Sequence, residues 1–354
     1  MNRRTGRHGP SPAKSAPASP PAAPTLDDVA RLAGVSRATA SRALATPGMV
    51  KLEAREAIAR AVAELGYVRH AAARALASQK SFLVGGIVPT LDNPIFARCL
   101  DALQRTLDEA GFTLLVATSK YSATSELKSI NTLLERGVAG LMLVGSSRQK
   151  DTYELLKRKH IPYCLTWSSA ADPGQVCIGF DNRKAAAQIV NYLWDLGHRR
   201  FAMIAGITKD NDRALERLET IQEMLRARGV SPLIVERRYT ISESQDAIRY
   251  LLDRPKRPTA IICGNDIQAL GAMAGCAAMG LRVPRDVSIT GFDDMDFARC
   301  TTPSLTTIRV EADQIGRYAG ERLIAMIETH GEAPSVQLPI DLIVRGSSAP
   351  PPPE

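Results

Sequence analysis

Residues Thr25–Leu44 read TLDDVARLAGVSRATASRAL, two helical patterns separated by a glycine turn. Leu26, Val29, Ala30 and Ala33 recur at i, i+3, i+4 and i+7, the spacing of one buried stripe on a helix. Gly34-Val35-Ser36 interrupts that stripe. Glycine accepts the positive φ that follows a helix end, and serine is a strong N-cap for the next helix. Ala40, Ala43 and Leu44 make a second stripe, and a third helix is expected over 52–65, burying Ile58, Val62 and Leu65 and stopped by Gly66. Ala30, Gly34 and Val35 are small or modest residues where the first two helices must cross closely. The second helix then presents a polar face of Arg37, Ala38, Thr39, Ser41 and Arg42, behind the cap Ser36. Laid in a DNA major groove, such a helix would bring Arg37 to base edges and Ser41 or Thr25 to phosphate.

Charge singles out the same segment. Residues 1–80 hold 13 Lys+Arg and 5 Asp+Glu, while the remainder of the chain is balanced at 32 of each, so the net +8 lies in the first quarter. That asymmetry implies a polyanionic partner for the head and none for the body. Only four of the thirteen basic residues precede Thr25, so a basic tail does not account for it. Residues 1–24 and 347–354 are rich in Pro, Ala and Ser and are expected to be disordered tails. Residues 69–78 are alanine-rich, but about ten residues is too short for an isolated helix, which makes them a linker or part of a longer helix.

From Ser81 onward short β runs alternate with amphipathic helices: Leu83–Val88, Thr113–Thr118, Gly140–Gly145, Ile161–Thr166, Phe201–Gly206, Ala260–Gly264 and Val287–Gly291. This is the pattern of βαβ units, and about ten such runs exceed one comfortable sheet, so two lobes are expected within 81–346. Ligands in open α/β sheets bind beyond the carboxyl ends of the strands. The polar residues at those ends are Asp92, Asn93, Lys120, Tyr121, Ser146, Trp167, Asp181, Asn265, Asp266, Asp293 and Asp294. Asp181 and Asp266 are equally suited to capping the following helices, and Asp293-Asp294 to a turn.

These segments together resemble the lactose-repressor (LacI/GalR) family. The resemblance is carried by Thr25–Leu44 and Leu65-Gly66-Tyr67, and by Asp92-Asn93-Pro94-Ile95-Phe96, Gly179-Phe180-Asp181-Asn182, Gly264-Asn265-Asp266, Gly291-Phe292-Asp293-Asp294 and Val344-Arg345-Gly346-Ser347. It implies a body of two Rossmann-like lobes, similar to periplasmic sugar-binding proteins, behind an all-α helix-turn-helix head. It further implies double-stranded operator DNA as partner, a homodimer, and a small-molecule effector in the cleft. Arg37, Ala38 and Arg42 take the base-reading positions, and 69–80 becomes a hinge that is helical on DNA with Leu76 wedged in the minor groove. Arg69-His70 stand where the family commonly has Pro-Asn, adding a cation toward phosphate. Ala40 replaces a common valine, and Lys51 a common capping serine.

In the body the resemblance places Asn93 and Phe96 beside the effector from one lobe and Arg217, Asn265 and Asp293 from the other. Val310 stands where several relatives have glutamine. Thr118–Tyr121 and Asp212–Arg217, with Trp167, are similar to the gluconate-repressor branch. Arg213 and Arg217 suit a carboxylate, which guanidinium groups bind bidentately. A neutral pentose or hexose, stacked on Trp167 or Phe96, is the alternative.

An enzyme is not expected. The five histidines lack metal-ligand or Ser/Asp spacing, no GxGxxG or P-loop occurs, and His198 reads as a helix C-cap. The six scattered cysteines include no CxxC pair, so neither metal nor cofactor is expected. With no apolar run long enough for a membrane span and no apolar core behind Arg3, Arg4 and Arg7, a cytoplasmic protein is expected, not an exported sugar-binding protein.

Overall fold

The computed structural model describes residues 23–68, 81–169 and 174–353, so the expectations for the N-terminal tail up to residue 22 and for the hinge at His70 and Leu76 lie outside the described residues. Two compact units divide the chain at residues 80 and 81.

In the first unit α1 (Leu26–Leu32), α2 (Arg37–Ala45) and α3 (Leu52–Leu65) follow one another, with a 3-10 turn at Pro47–Met49. Thr25 starts α1 with a reciprocal cap: its side chain accepts from the Asp28 N–H, and its own N–H donates to the Asp28 carboxylate at 3.0 Å. Gly34, at φ +67, turns the chain toward Ser36, whose hydroxyl accepts from the Thr39 N–H at 3.1 Å and opens α2. Lys51 stands at the N-cap of α3 without a side-chain cap, and Gly66 closes that helix in the left-handed region. Val29, Ala30, Ala40, Ala43, Ile58 and Ala61 form the core, while Val62 and Leu65 are only partly buried against it.

The second unit contains two six-stranded sheets. The first has the order β2 (Thr113–Thr118), β1 (Leu83–Val88), β3 (Gly140–Val144), β4 (Tyr163–Thr166), β5 (Val176–Gly179) and β11 (Val336–Gln337). The second has β7 (Leu233–Arg237), β6 (Phe201–Gly206), β8 (Ala260–Cys263), β9 (Ser288–Asp293), β10 (Thr306–Arg309) and β12 (Asp341–Ile343). Every pairing is parallel except that of β12 with β10. The central strands read as nearly unbroken apolar runs because helices cover both faces, as in Gly140–Val144, which is buried throughout. The helices between the strands are α4 (Pro94–Glu109), α5 (Ala123–Glu135), α6 (Lys150–Arg158), α7 (Asn182–Asp195), α8 (Asp212–Ala227), α9 (Ile241–Leu252), α10 (Asp266–Ala278) and α11 (Ala312–Thr329). The chain passes between lobes after β5, returns after β10 so that α11 packs on the first lobe, and crosses again between β11 and β12.

The C-terminal stretch corrects one expectation. Residues 347–353 have no regular secondary structure, yet they are not a disordered tail, for Ser347 is fully buried. Its hydroxyl accepts from the Thr306 N–H at 2.8 Å and donates to the Ile289 carbonyl at 2.6 Å. The Ala349 carbonyl accepts from the Ser288 hydroxyl at 3.0 Å. A proline-rich composition reports a missing apolar face; it does not report hydrogen-bond partners supplied from another element. His198 is corrected with it. The ring does not cap α7 but is buried between the Thr259 hydroxyl and the Ala349 carbonyl, each 2.9 Å away. Burial lowers its pKa.

Candidate effector cleft and nucleic-acid face

On the head, Arg37, Ala38 and Arg42 are exposed along α2, with Thr39 and Ser41 half-buried beside them. The first turn of α2 carries no acidic residue, whereas α1 has Asp27 and Asp28 there and α3 has Glu53. A cation at the start of a helix opposes the helix dipole, so Arg37 costs α2 roughly 0.3–1 kcal/mol. What Arg37 gives up in helix stability it keeps as positive charge on an exposed N-terminus, where backbone N–H groups and a guanidinium both suit an anion. Its ion-pair partner is Asp27, 3.5 Å away with both side chains largely exposed, a contact worth little and readily exchanged for another anion. The hydroxyls of Thr25 and Ser36 are engaged as caps: Thr25 Oγ1 donates to Asp28 at 2.7 Å, and Ser36 Oγ lies 2.8 Å from the Thr39 hydroxyl.

In the body, a cleft is lined by Asn93, Phe96, Tyr121, Trp167, Arg213, Arg217, Asn265 and Asp293, with Ile95, Asn211, Tyr239, Gly264 and Phe292. The eight residues expected beside the effector converge there; of the other strand-end candidates, Asp92, Lys120, Ser146, Asp181, Asp266 and Asp294 do not line it. Asn93 caps α4 by accepting from the Ile95 N–H at 3.2 Å, and its side chain also bonds Asp293 from the other lobe. Phe96 and Trp167 meet edge to face at 5.0 Å, an apolar wall of the kind that faces a sugar ring. Tyr121 and Tyr239, one from each lobe, stand 5.7 Å apart.

The second lobe supplies the charge. Arg217 lies over the Phe292 ring at 4.4 Å and donates to Asn182 Oδ1 at 2.8 Å; Asn182 in turn donates to the Trp167 carbonyl at 3.0 Å. Asn265 caps α10 through Oδ1, accepting from Gln268 N–H at 2.9 Å. The opposite ends of these two groups, Arg217 Nε and Asn265 Nδ2, are buried without a hydrogen-bond partner. A buried unpaired donor costs about 1–3 kcal/mol, and two of them belong to residues that line this cleft. Burial pushes the Asp293 carboxyl up to about 7, with Arg217 and Asn93 pulling it back down. Asp266 meets neither of the two expectations for it, since Asn265 caps α10 and Asp266 does not line the cleft. It lies fully buried behind the cleft, accepting from the Met295 N–H at 2.7 Å and the Thr307 hydroxyl at 2.5 Å, and burial beside Asp293 raises its carboxyl well above the usual range.

At the mouth the lobes touch. Asp212, at the start of α8, accepts from the Ser146 N–H at 2.5 Å and the Ser146 hydroxyl at 2.8 Å, and holds Arg213 at 2.7 Å. Burial acts to raise the Asp212 carboxyl, but Arg213 and Ser146 outweigh it and the net shift is downward. Gly145, at φ +75, leaves room for both side chains; a Cβ there would overlap them. Asp181 caps α7 instead of entering the cleft, and Asp92 is exposed.

Sequence reasoning passed over Asn182, Asn211 and Tyr239. Asn182 was legible only as a neighbour of the capping Asp181, and Tyr239 follows β7 without any apolar-run signal of its own. Backbone conformation is a clearer signal. Lys120, Tyr121, Trp167, Asp210, Asp293 and Asp294 all take positive φ at the carboxyl ends of strands or in the loops facing them. Each such residue costs on the order of 1–3 kcal/mol and persists where surrounding contacts over-determine it, commonly at binding sites.

Among the described residues no helix is long and apolar enough to cross a membrane, and no group of three or more His, Cys, Asp or Glu side chains is placed to hold a metal ion. Residues 25–70 match the model for bacterial regulatory proteins of the lacI family, and 190–348 that for a periplasmic binding protein-like domain. The transcriptional repressor CytR of Escherichia coli K12 is 32% identical over 330 residues, covering 92% of this chain and 96% of CytR. The transcriptional regulator GntR of Pseudomonas aeruginosa PAO1 is 32% identical over 309 residues, covering 86% of this chain and 89% of its own length. Among solved structures, the lac repressor dimer bound to operator and the anti-inducer ONPF superposes with a TM-score of 0.81 at 27% identity, covering 92% of this chain and 99% of that one. A helix-turn-helix head, a two-lobed cleft and similarity along nearly the whole length lead to one assignment: the chain belongs to the LacI family of bacterial regulatory proteins, and it is a DNA-binding regulator, not an enzyme.

Proposed function

We propose that this regulator is a repressor that binds operator DNA as a homodimer and releases it when a small sugar acid, of the gluconate type, occupies the cleft. The observation that carries the effector reading is the pair of buried donors without partners, Arg217 Nε and Asn265 Nδ2, on residues that line the same cleft as Phe96 and Trp167. A polyhydroxylated chain ending in a carboxylate supplies acceptors to both donors and a face to the wall. Arg213 stands ready to move from Asp212 to the ligand carboxylate. Similarity to a GntR regulator supports the same class. A neutral pentose or hexose is the second reading, favoured by the carboxylates Asp212 and Asp293, which offset the two arginines.

In this reading Arg37, Ala38 and Arg42 read bases, Thr25, Ser36, Thr39 and Ser41 contact phosphate or flank the read bases, His70 supports the hinge and Leu76 wedges the minor groove. The lac repressor dimer bound to operator supports the dimeric geometry. Effector binding acts by changing the relative orientation of the lobes, and coupling is typically about 1–3 kcal/mol. Titration calorimetry with D-gluconate, other sugar acids and neutral sugars tests the effector class: heat from gluconate and none from neutral sugars is expected, and the reverse rejects the acid. Deleting residues 1–80 is expected to abolish retardation of any duplex while leaving that heat unchanged.

A further inference from the structure

Asp293 faces the cleft from the end of β9, and the next residue points the other way. Asp294 turns its carboxylate into the second lobe, with its side chain 2% exposed, and receives two guanidinium groups there. Arg309 Nε donates to one oxygen at 2.9 Å, and an Arg345 amino group donates to the other at 2.6 Å. Arg309 is the last residue of β10, in register with Asp293 on one side and Asp341 on the other, one residue before the second passage between lobes. Arg345 also donates to the Leu305 carbonyl at 2.8 Å and begins the C-terminal segment that Ser347 anchors in the core. Asp293 and Asp294 have φ of 122° and 53°, consecutive left-handed residues without a glycine. A backbone of that kind relaxes unless something holds it, and here the holding contacts come from distant parts of the chain.

We propose that Asp294, clamped by Arg309 and Arg345, is a positioning residue that aims Asp293 into the effector cleft, and that the C-terminal segment is through Arg345 a working part of the binding site. The clamp itself rests on geometry; its effect on affinity rests on the sugar-acid reading, and the experiment separates the two. Hydrogen exchange on the ligand-free full-length protein reads the clamp alone. In Arg345→Gln and in Arg309→Gln, amides of residues 293–296 are expected to exchange at least about tenfold faster, with those of α4 in the first lobe unchanged, and Arg345→Lys is expected to recover part of the protection. Arg309 is the more exposed partner, so Arg309→Gln serves if Arg345→Gln fails to fold. Unchanged exchange in a folded variant overturns the proposal.

Calorimetry with D-gluconate then reads the consequence. Arg345→Gln is expected to weaken binding about tenfold or more, the scale of a charge-assisted hydrogen bond, and to have no further effect in an Asp293→Asn background. An equal loss in both backgrounds means that Arg345 supports the fold generally, and the positioning role fails. If wild-type protein gives no heat with gluconate but the exchange result holds, the sugar-acid reading falls and the clamp stands.

Discussion

In the head the core is assembled from Val29 and Ile58 and four alanines, and order depends on hydrogen bonds reaching three residues along the chain. In the body both faces of each sheet are covered, and polar residues are held by partners more than a hundred residues away, as with the Ser335 hydroxyl accepting from the Cys177 N–H in β5 or Ala349 meeting His198. A unit of the head's size buries too little surface for large stability, whereas the body has a core with strength in reserve. The surplus is visible in what the body tolerates: buried unpaired donors, left-handed residues and carboxylates out of water, several of them at the cleft. The head has no such reserve, and its departures from helix preference, Arg37 at the start of α2 and the uncapped Lys51 before α3, both lie on exposed residues.

If the two regions are held in such different ways, a lesion in one should leave the other's unfolding transition in place. The largest separation is expected from Glu126→Ala. Arg148 is 2% exposed at its side chain and pairs with Glu126 at 2.8 Å, with further bonds to the Val144 and Gly145 carbonyls. Removing the carboxylate strands a buried cation at the end of β3, a loss of about 3–5 kcal/mol. Differential scanning calorimetry should show the body's transition falling by roughly 10 °C with the head's unmoved. A shift of both together breaks the comparison. Replacing both partners by methionine should recover most of the loss, because the charge and its burial cost disappear together.

The next effect runs in the opposite direction. Asp293 is raised to about 7 in the folded body, mainly by burial, against about 3.9 in an unfolded chain. A carboxyl with a raised folded pKa contributes stability that is full below the unfolded value and is lost as pH rises through the folded one. Wild-type protein should therefore lose body stability between about pH 4 and 7. Asp293→Asn should remove that part of the loss, leaving the body more stable than wild type at pH 8 by on the order of 2–4 kcal/mol, while effector binding weakens but stays measurable. Neighbouring Asp266, also raised, should titrate lower once the charge beside it is gone. Equal stability of the two proteins across pH 4–8 would mean that Asp293 is not desolvated as the cleft geometry requires.

Legibility in the sequence divides along the same line. Caps and helix limits in the head could be read because each depends on residues three or four apart: Thr25 with Asp28, Ser36 with Thr39, Gly66 after Leu65. The strands of the body were legible as apolar runs, and the cleft residues as polar positions at the strand ends. What escaped depends on distance. Nothing near Ser347 in sequence announces Thr306 and Ile289 as its partners, so composition suggested a loose tail where the fold builds an anchored segment. The same blindness applied to Asp266 and His198, which look like caps beside their own helices and are recruited by other elements. Tyr239 is held at the cleft by Gly206 and Arg217 of its own lobe and meets Tyr121 across it, none of them near it in sequence.

The smallest effect is the most discriminating for the head. Ser36→Ala removes the side-chain acceptor from the first turn of α2, a cost of about 1 kcal/mol. In the body that amount is a small part of the total. In a unit whose buried interior is mostly alanine it is a sizeable fraction, and it falls on the helix that carries Arg37, Ala38 and Arg42. The head's transition should drop by roughly 4–8 °C with the body's unchanged. Operator affinity at 25 °C should weaken by only a few-fold, because duplex binding re-orders the helix and phosphate can satisfy the freed N–H. Ser36→Gly should behave more mildly than alanine, since glycine tolerates the cap geometry and leaves the N–H groups open to water. A large loss of affinity with no change in the head's stability would instead assign Ser36 a direct contact with DNA, and the cap would then be incidental to what the residue does.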